Sequence, residues 1–274
     1  MANSRAVMWD ESPPVIAGTY AQCNAARWPE AVKMKESAHI RAARDAFPAG
    51  LEQPEGSFRF SADALLLAKF TAGQALPENA VLAELGTGCG VVSLAVLLEK
   101  PGWRSVGLER EAVLAEAAER NAAALGLGEA FLPLCGDVAR RDDLRRMREA
   151  LSNRTETSGN LSGPPLFDCV MSNPPWRVEG DGRTPPSDLR RRALFGTPET
   201  FREFFSAADA LLKTGGLLTA VAGAERSADM LAALPKRLHP EILRFVFTKE
   251  DAPAEFVLLM ARKNGRGTLR VEKA

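Results

Sequence analysis

From about residue 80 the chain alternates short apolar runs with longer amphipathic stretches. The runs VLAEL (81–85), RSVGLE (104–109), FLPLCGD (131–137), LFDCVMS (166–172) and LLTAVAG (217–223) have strand length. Between them, 89–100, the Ala-rich 111–127, the charged 139–151 and 201–216 have the length and period of helices. Gly126 is placed to stop the second of these, and Gly215 and Gly216 to close the last. Pro133 moves its strand toward a sheet edge. After a further helix, EILRFVFTK (241–249) and EFVLLMARK (255–263) are separated only by a short turn, which predicts an antiparallel hairpin. Strand alternating with helix predicts right-handed crossovers and an α/β fold. The expectation is a mainly parallel seven-stranded sheet, covered on both faces, with a C-terminal hairpin. Residues 152–165 read as a polar loop. Residues 1–50 hold four prolines and one candidate helix near 30–46, and read as an N-terminal arm or cap on a domain spanning 51–274.

Composition fits this picture. Of 274 residues, 46% are hydrophobic and 26% charged, which excludes a disordered or low-complexity chain. Lys+Arg and Asp+Glu are both 35, so sequence-independent coating of nucleic acid is excluded while a local basic face is not. The four cysteines form no C-x-x-C pair and there are two histidines, which argues against a zinc site. Cys89, Cys135 and Cys169 lie in or beside apolar runs and read as buried free thiols of a reducing compartment. The first residues lack the apolar core of a signal peptide and no run reaches 18 apolar residues. The expectation is a cytoplasmic protein with no membrane partner.

In an open parallel sheet, ligands bind beyond the carboxyl ends of the strands. The first such end carries Glu84-Leu85-Gly86-Thr87-Gly88-Cys89-Gly90 and opens a helix. Glycines let backbone turn sharply and approach a ligand, and a helix N-terminus offers free N–H groups. Val91 stands where the dinucleotide fingerprint needs Gly or Ala, so that pattern fails. The E-x-G-x-G-x-G spacing suits S-adenosylmethionine. Glu109 ends the next strand, where a carboxylate can accept both ribose hydroxyls. Asp137 ends the third, where it can accept from an adenine amino group. Glu109 and Asp137 alone also read as ordinary helix N-caps, and the glycine loop alone as a strand–helix turn, but three acid-tipped strands in order point to one cofactor.

The fourth strand runs into Asn173-Pro174-Pro175-Trp176. Pro174 keeps Asn173 out of the helical region, and two prolines remove two competing N–H donors. What remains is a stiff pair of acceptors, the Asn173 side-chain oxygen and the Pro174 carbonyl. A planar NH2 group is a poor nucleophile because its lone pair is conjugated. Two acceptors holding its protons favour a pyramidal nitrogen and stabilise the positive charge developing on it. Trp176 offers a flat face to a planar substrate, where stacking is worth roughly 1–3 kcal/mol per base.

With these motifs the chain resembles the adenine-N6 and glutamine-amide methyltransferases that carry an [ND]-P-P-[YFW] tetrad, and within them the bacterial tRNA adenine-N6 methyltransferases that modify valine tRNA beside the anticodon. The resemblance covers about 56–272. It includes the run Phe58 to Leu67, similar to R-x-x-x-D-A-x-L-L-A, and the C-terminal Gly267-Thr268-Leu269-Arg270-Val271. It implies a Rossmann-like class I methyltransferase fold, S-adenosylmethionine as cofactor, and catalysis by the tetrad without metal. It places Asp63 and Phe60 near the methionine end of the cofactor, although they also read as a helix N-cap and a core aromatic. Trp176 replaces the usual Tyr or Phe, and Leu194-Phe195-Gly196 replaces the polar end of R-x-x-A-R-x-E, which begins in register at Arg190.

Basic clusters occur at Arg140, Arg141, Arg145, Arg146 and Arg148, and at Arg183, Arg190, Arg191 and Arg192. Either is a solvated face or a set of phosphate contacts. The second follows the tetrad, so Arg190 and Arg191 are the candidate substrate contacts. Adenine N6 in tRNA is the leading acceptor. A glutamine amide in a release factor presents the same NH2, though that group usually carries a longer N-terminal helical domain. Guanine N2 in rRNA and adenine in DNA are further alternatives. A non-catalytic binding protein would not need the intact Asn173.

Overall fold

The computed structural model describes residues 38–154, 166–178, 187–249 and 251–273. The helices are α1 (Ala38–Asp45), α2 (Ala62–Ala72), α3 (Val91–Glu99), α4 (Ala112–Ala124), α5 (Arg141–Arg154), α6 (Asp188–Leu194), α7 (Pro198–Leu211) and α8 (Ser227–Ala232). The strands are β1 (Val81–Leu85), β2 (Arg104–Glu109), β3 (Phe131–Cys135), β4 (Phe167–Ser172), β5 (Leu212–Gly223), β6 (Leu238–Val246), β7 (Phe256–Lys263) and β8 (Arg270–Lys273). They form one sheet in the order β3-β2-β1-β4-β5-β7-β6-β8.

The first five strands are parallel, and β7 runs antiparallel between β5 and β6. The sequence pattern therefore gives the sheet and its hairpin, with Pro133 on the edge strand as expected. The sheet has eight described strands rather than seven, because β8 adds in parallel to β6. The short RVEK run is exposed except for one half-buried residue and carries no apolar pattern that would mark it as a strand.

Burial explains the regular part. All six residues of β4 are buried, as expected for a central strand covered on both faces. One face packs Leu67, Phe70, Leu94, Leu97 and Ala118 from α2, α3 and α4. The other packs Met147, Phe201, Phe205, Leu211 and Met230 from α5, α7 and α8. Gly126 has φ +66° just past α4, where Gly126 N–H donates to Ala123 O and Leu127 N–H to Ala122 O. Those two bonds satisfy carbonyls that the helix end would leave free.

The chain departs from the expected boundaries where tertiary pairing overrides local signals. The helix expected over 201–216 starts at Pro198 and ends at Leu211. Its supposed closing glycines lie inside β5, at a register shift where Leu212 faces Phe167 and Leu217 faces Cys169. A Cβ on Gly216 would come 3.0 Å from the Asp168 carbonyl, so that glycine serves strand approach rather than helix termination. The loop expected from 152 starts later, since α5 runs to Arg154; residues 155–165 lie outside the described residues, as do 1–37. The end of the expected arm is docked on the domain. Arg44 Nε donates to Leu125 O at 2.9 Å, and Ala43 and Phe47 pack against the core.

Phe131 is 1% exposed and fills the space that Gly90 and Gly107 leave open; a Cβ at either would approach its ring to 2.9 and 3.0 Å. Phe131→Ala is expected to lower unfolding free energy by about 3–5 kcal/mol, read by urea denaturation. A loss below about 1 kcal/mol would contradict this packing.

Candidate functional site

The sheet order places the site. The chain runs outward through β1, β2 and β3, then crosses back to place β4 beside β1. The crevice at that reversal lies beyond the carboxyl ends of β1 and β4, which carry the glycine loop and the Asn-Pro-Pro-Trp tetrad. A cavity of about 460 Å³ opens there, within the usual range for small-molecule sites.

Gly86, Gly88 and Gly90 have φ of +73°, +56° and +89°, a region that side chains rarely adopt. A Cβ on Gly88 would meet nothing within 4 Å, so the backbone there faces open space. The loop is tied to β2 from both sides. Gly86 and Thr87 N–H groups donate to Leu108 O at 2.8 and 3.1 Å, and Gly88 N–H donates to Glu109 Oε2 at 2.8 Å.

Glu84 is 2% exposed, and its Oε2 accepts from Thr87 Oγ1, Ser93 N and Ser93 Oγ at 2.5–3.0 Å. Burial pushes its carboxyl up to about 7, against the opposing pull of those hydrogen bonds. Burial likewise raises the Glu109 carboxyl and pushes the Cys89 thiol up to about 11. Cys89 is buried and its backbone O accepts from Asn121 Nδ2, which ties the loop to α4. Cys169 is also buried, whereas Cys135 is only half-buried at the end of the edge strand, and Cys23 lies outside the described residues.

Glu109 accepts one backbone N–H per oxygen, from Gly88 and from Glu111 at 3.0 Å. An ionised carboxylate has about four lone-pair sites, so two remain for ligand hydroxyls. Asp137 also lines the cavity, with Oδ1 accepting from Ala139 N at 2.9 Å. Its own N–H is held by Asp143 Oδ2.

Asn173, Pro174, Pro175 and Trp176 line the same cavity, as do Phe60 and Asp63. Asn173 Nδ2 donates to Asp63 Oδ2 at 2.9 Å, and Ser61 Oγ donates to Asp63 Oδ1 at 2.5 Å. Asp63 is 3% exposed, and the N-cap of α2 is Ser61 rather than Asp63. Phe60 is partly buried against the core while lining the cavity, so both of its readings hold. Trp176 packs edge-on to Phe256 at 6.4 Å, and the Arg177 guanidinium lies 5.5 Å from its ring. Arg226 Nη1 donates to the Trp176 carbonyl.

The α6 segment roofs this constellation. Arg177 N–H donates to Leu194 O, and Gly196 N–H to Arg177 O, both at 3.0 Å. A Cβ on Gly196 would collide with the Pro175 carbonyl. The run Leu194-Phe195-Gly196 therefore lets the roof touch the tetrad backbone directly. Arg190 and Arg191 are exposed on α6 and are not among the cavity-lining residues. Their neighbour Arg192 is, paired with Glu111 at 2.8 Å, together with Arg110 and Arg177. A seven-residue helix turns its arginines in different directions, which the sequence alone does not order. Arg140, Arg141, Arg145, Arg146 and Arg148 do not line the cavity; Arg145 and Arg146 pair with Asp142, Glu149 and Asp143. Arg183 lies outside the described residues. No cluster of three metal-ligating side chains occurs among the described residues, and no described helix is long and apolar enough to cross a membrane.

No protein-family model matches the chain. A predicted O-methyltransferase from Agrobacterium tumefaciens superposes with a TM-score of 0.56 at 23% identity, covering 77% of this chain and 85% of that one. A Listeria monocytogenes protein, provisionally assigned as a class I S-adenosylmethionine-dependent methyltransferase, gives 0.56 at 16% identity over 87% and 74%. The chain has the class I methyltransferase fold.

Sequence relatives of this methyltransferase-fold chain are themselves methyltransferases. The release factor glutamine methyltransferase of Rhodospirillum rubrum is 29% identical over 69% of this chain and 52% of its own length. That of Xylella fastidiosa is 30% identical over 67% and 60%. The tRNA1(Val) (adenine(37)-N6)-methyltransferase of Porphyromonas gingivalis is 25% identical over 66% and 64%. The chain thus spans about half to two thirds of these relatives. As homologues they imply S-adenosylmethionine as the cofactor, and the two free acceptor sites on Glu109 and the open backbone at Gly88 fit it.

Two outcomes follow from the geometry. Gly196→Ala is expected to cost about 1–3 kcal/mol in urea unfolding, because the new methyl must push the roof off Pro175; a variant as stable as the parent would contradict that contact. Glu84 binds its proton more tightly folded than unfolded, so its contribution to stability is full below about 4.5 and is lost as pH rises through about 7. The stability of the parent relative to Glu84→Gln should therefore fall between pH 5 and 8, and a pH-independent difference would contradict the buried acid.

Proposed function

We propose that the protein is an S-adenosylmethionine-dependent N-methyltransferase whose acceptor is a planar exocyclic NH2 group, adenine N6 in tRNA. The observation that carries this reading is that one cavity gathers the glycine loop, Glu109, Asp137 and the Asn173–Trp176 tetrad. The bound cofactor supplies an electrophilic methyl group on a sulfonium centre. Glu109 holds the ribose hydroxyls and Asp137 the adenine amino group. Thr87, Cys89 and Glu84 keep the glycine turn in shape. The Asn173 side-chain oxygen and the Pro174 carbonyl accept the two N–H groups of the acceptor and stabilise charge as it develops on nitrogen. Trp176 supports the planar group, and the roof excludes water.

Arg110, Arg177 and Arg192 at the cavity support a polyanionic acceptor, and binding would place an unstacked base against Trp176. Arg190 and Arg191 on the exposed side of α6 are then phosphate contacts outside the cavity. The catalytic unit is residues 51–274. A second reading is favoured by the identities of 29% and 30% to release factor glutamine methyltransferases: a glutamine amide presents the same NH2 to the same acceptors.

Transfer of labelled methyl to total tRNA, set against transfer to release factor, separates these acceptors. Asn173→Ala should lower transfer by about 100-fold or more while cofactor affinity by calorimetry stays within a few fold. Glu109→Ala should weaken cofactor binding itself. Full activity in Asn173→Ala, or no transfer by the parent protein to either acceptor, would contradict the proposal.

A further inference from the structure

We propose that Asp63 is a positioning residue that fixes which end of the Asn173 amide faces the cavity. The inference rests on the reading of Asn173 as the acceptor of the substrate N–H, and adds a residue that sets its direction. An amide side chain is nearly symmetric in shape, so packing alone does not tell its oxygen from its nitrogen. Turned one way, Asn173 presents an acceptor to the substrate NH2. Turned the other way it presents donors, and no hydrogen bond forms.

An ionised carboxylate accepts and cannot donate. Asp63 Oδ2 therefore takes the NH2 end of Asn173, at 2.9 Å, and leaves Oδ1 for the cavity. The bond joins an amide N–H to a carboxylate that is 3% exposed at the cavity wall. A carboxylate accepting the N–H pushes electron density through the amide toward its oxygen and so makes that oxygen a stronger acceptor, because hydrogen bonds in series polarise one another.

Asp63 is itself held. Ser61 Oγ donates to its other oxygen at 2.5 Å. It sits in the first turn of α2, whose positive end favours a carboxylate. The helix is anchored to the sheet by a buried hydroxyl pair, Thr71 Oγ1 to Thr219 Oγ1 at 2.7 Å. The loop before it is fixed by Phe60 N–H donating to Gln53 Oε1 at 3.1 Å. The chain from α2 to the end of β4 therefore spans 110 residues of sequence through one directed bond.

Asp63→Asn keeps the shape but can accept or donate, and the Ser61 hydroxyl can follow either choice. The variant loses direction without losing volume. With methyl transfer from S-adenosylmethionine to the responsive acceptor as the readout, kcat should fall by up to about 100-fold. Cofactor affinity by calorimetry and the unfolding midpoint should stay near the parent values. Unchanged kcat with weakened cofactor affinity would make Asp63 a cofactor ligand and overturn the proposal. A readout that needs no turnover stands beside it: solvent exchange of the Asn173 side-chain NH2, followed by NMR in 15N-asparagine-labelled ligand-free protein. One of its protons should be protected in the parent and lose protection in Asp63→Ala. Protection that persists in Asp63→Ala overturns the proposal, whether or not any acceptor is methylated. No transfer by the parent, with protection lost in the variant, refutes the proposed function and leaves the positioning of Asn173 by Asp63 standing.

Discussion

Gly88 N–H donates to the Glu109 carboxylate at 2.8 Å across the tips of neighbouring strands, and with the Gly86 and Thr87 N–H bonds to Leu108 O it ties the glycine turn to β2. Three alternate residues at positive φ, Gly86, Gly88 and Gly90, make a turn that side-chain-bearing residues rarely adopt. Such a turn costs conformational entropy to order and has few side chains of its own to hold it. The protein offsets that cost with buried acids. Glu84 fastens the turn to α3 through Thr87 and Ser93, and Glu109 fastens it to β2. Both carboxyls are pushed toward neutrality by burial, yet both accept backbone N–H groups that would otherwise be orphaned. Both acids therefore build the loop and line the cavity.

The tetrad is fixed by different means. Its prolines carry no N–H, so few donors bind it from within. The restraint comes from outside: Arg226 on the Trp176 carbonyl, the α6 roof on Arg177, and Gly196 against Pro175. Phe256 and Arg177 flank the indole ring. A segment after the tetrad is thus as much a part of its geometry as the strand that leads into it. The roof is in turn latched to the end of β2 by the Arg192–Glu111 pair, next to the residue that would hold the ribose. This pair lies at the surface and contributes little energy; what it fixes is where the roof sits.

Much of this was legible in the sequence, for a physical reason. VLAEL and RSVGLE match β1 and β2 to the residue, because central parallel strands are buried on both faces and read as continuous apolar runs. Parallel strands also bring their carboxyl ends to one edge, so Glu84, Glu109, Asp137 and Asn173 share a cavity without any further assumption. What local pattern could not supply were features set by distant partners. Gly215 and Gly216 look like a helix stop and instead sit in β5, with Gly216 against the Asp168 carbonyl. RVEK becomes a strand only because β6 has a free edge. Gly196 looks like the loss of a polar motif and is a contact with Pro175. Arg192 lines the cavity while Arg190 and Arg191 do not, a matter of helix phase. Asp63 is visible as an acid at a helix start, but its bond to Asn173 joins residues 110 apart.

The central claim is that the Asn173 amide oxygen sits beside the reactive methyl group. A crystal structure with S-adenosylmethionine bound tests it most directly. The account predicts the ribose hydroxyls on Glu109 and the sulfonium methyl pointing toward the space in front of Asn173 Oδ1. A cofactor bound away from that carboxylate, or an Asn173 oxygen turned from the methyl, would contradict it.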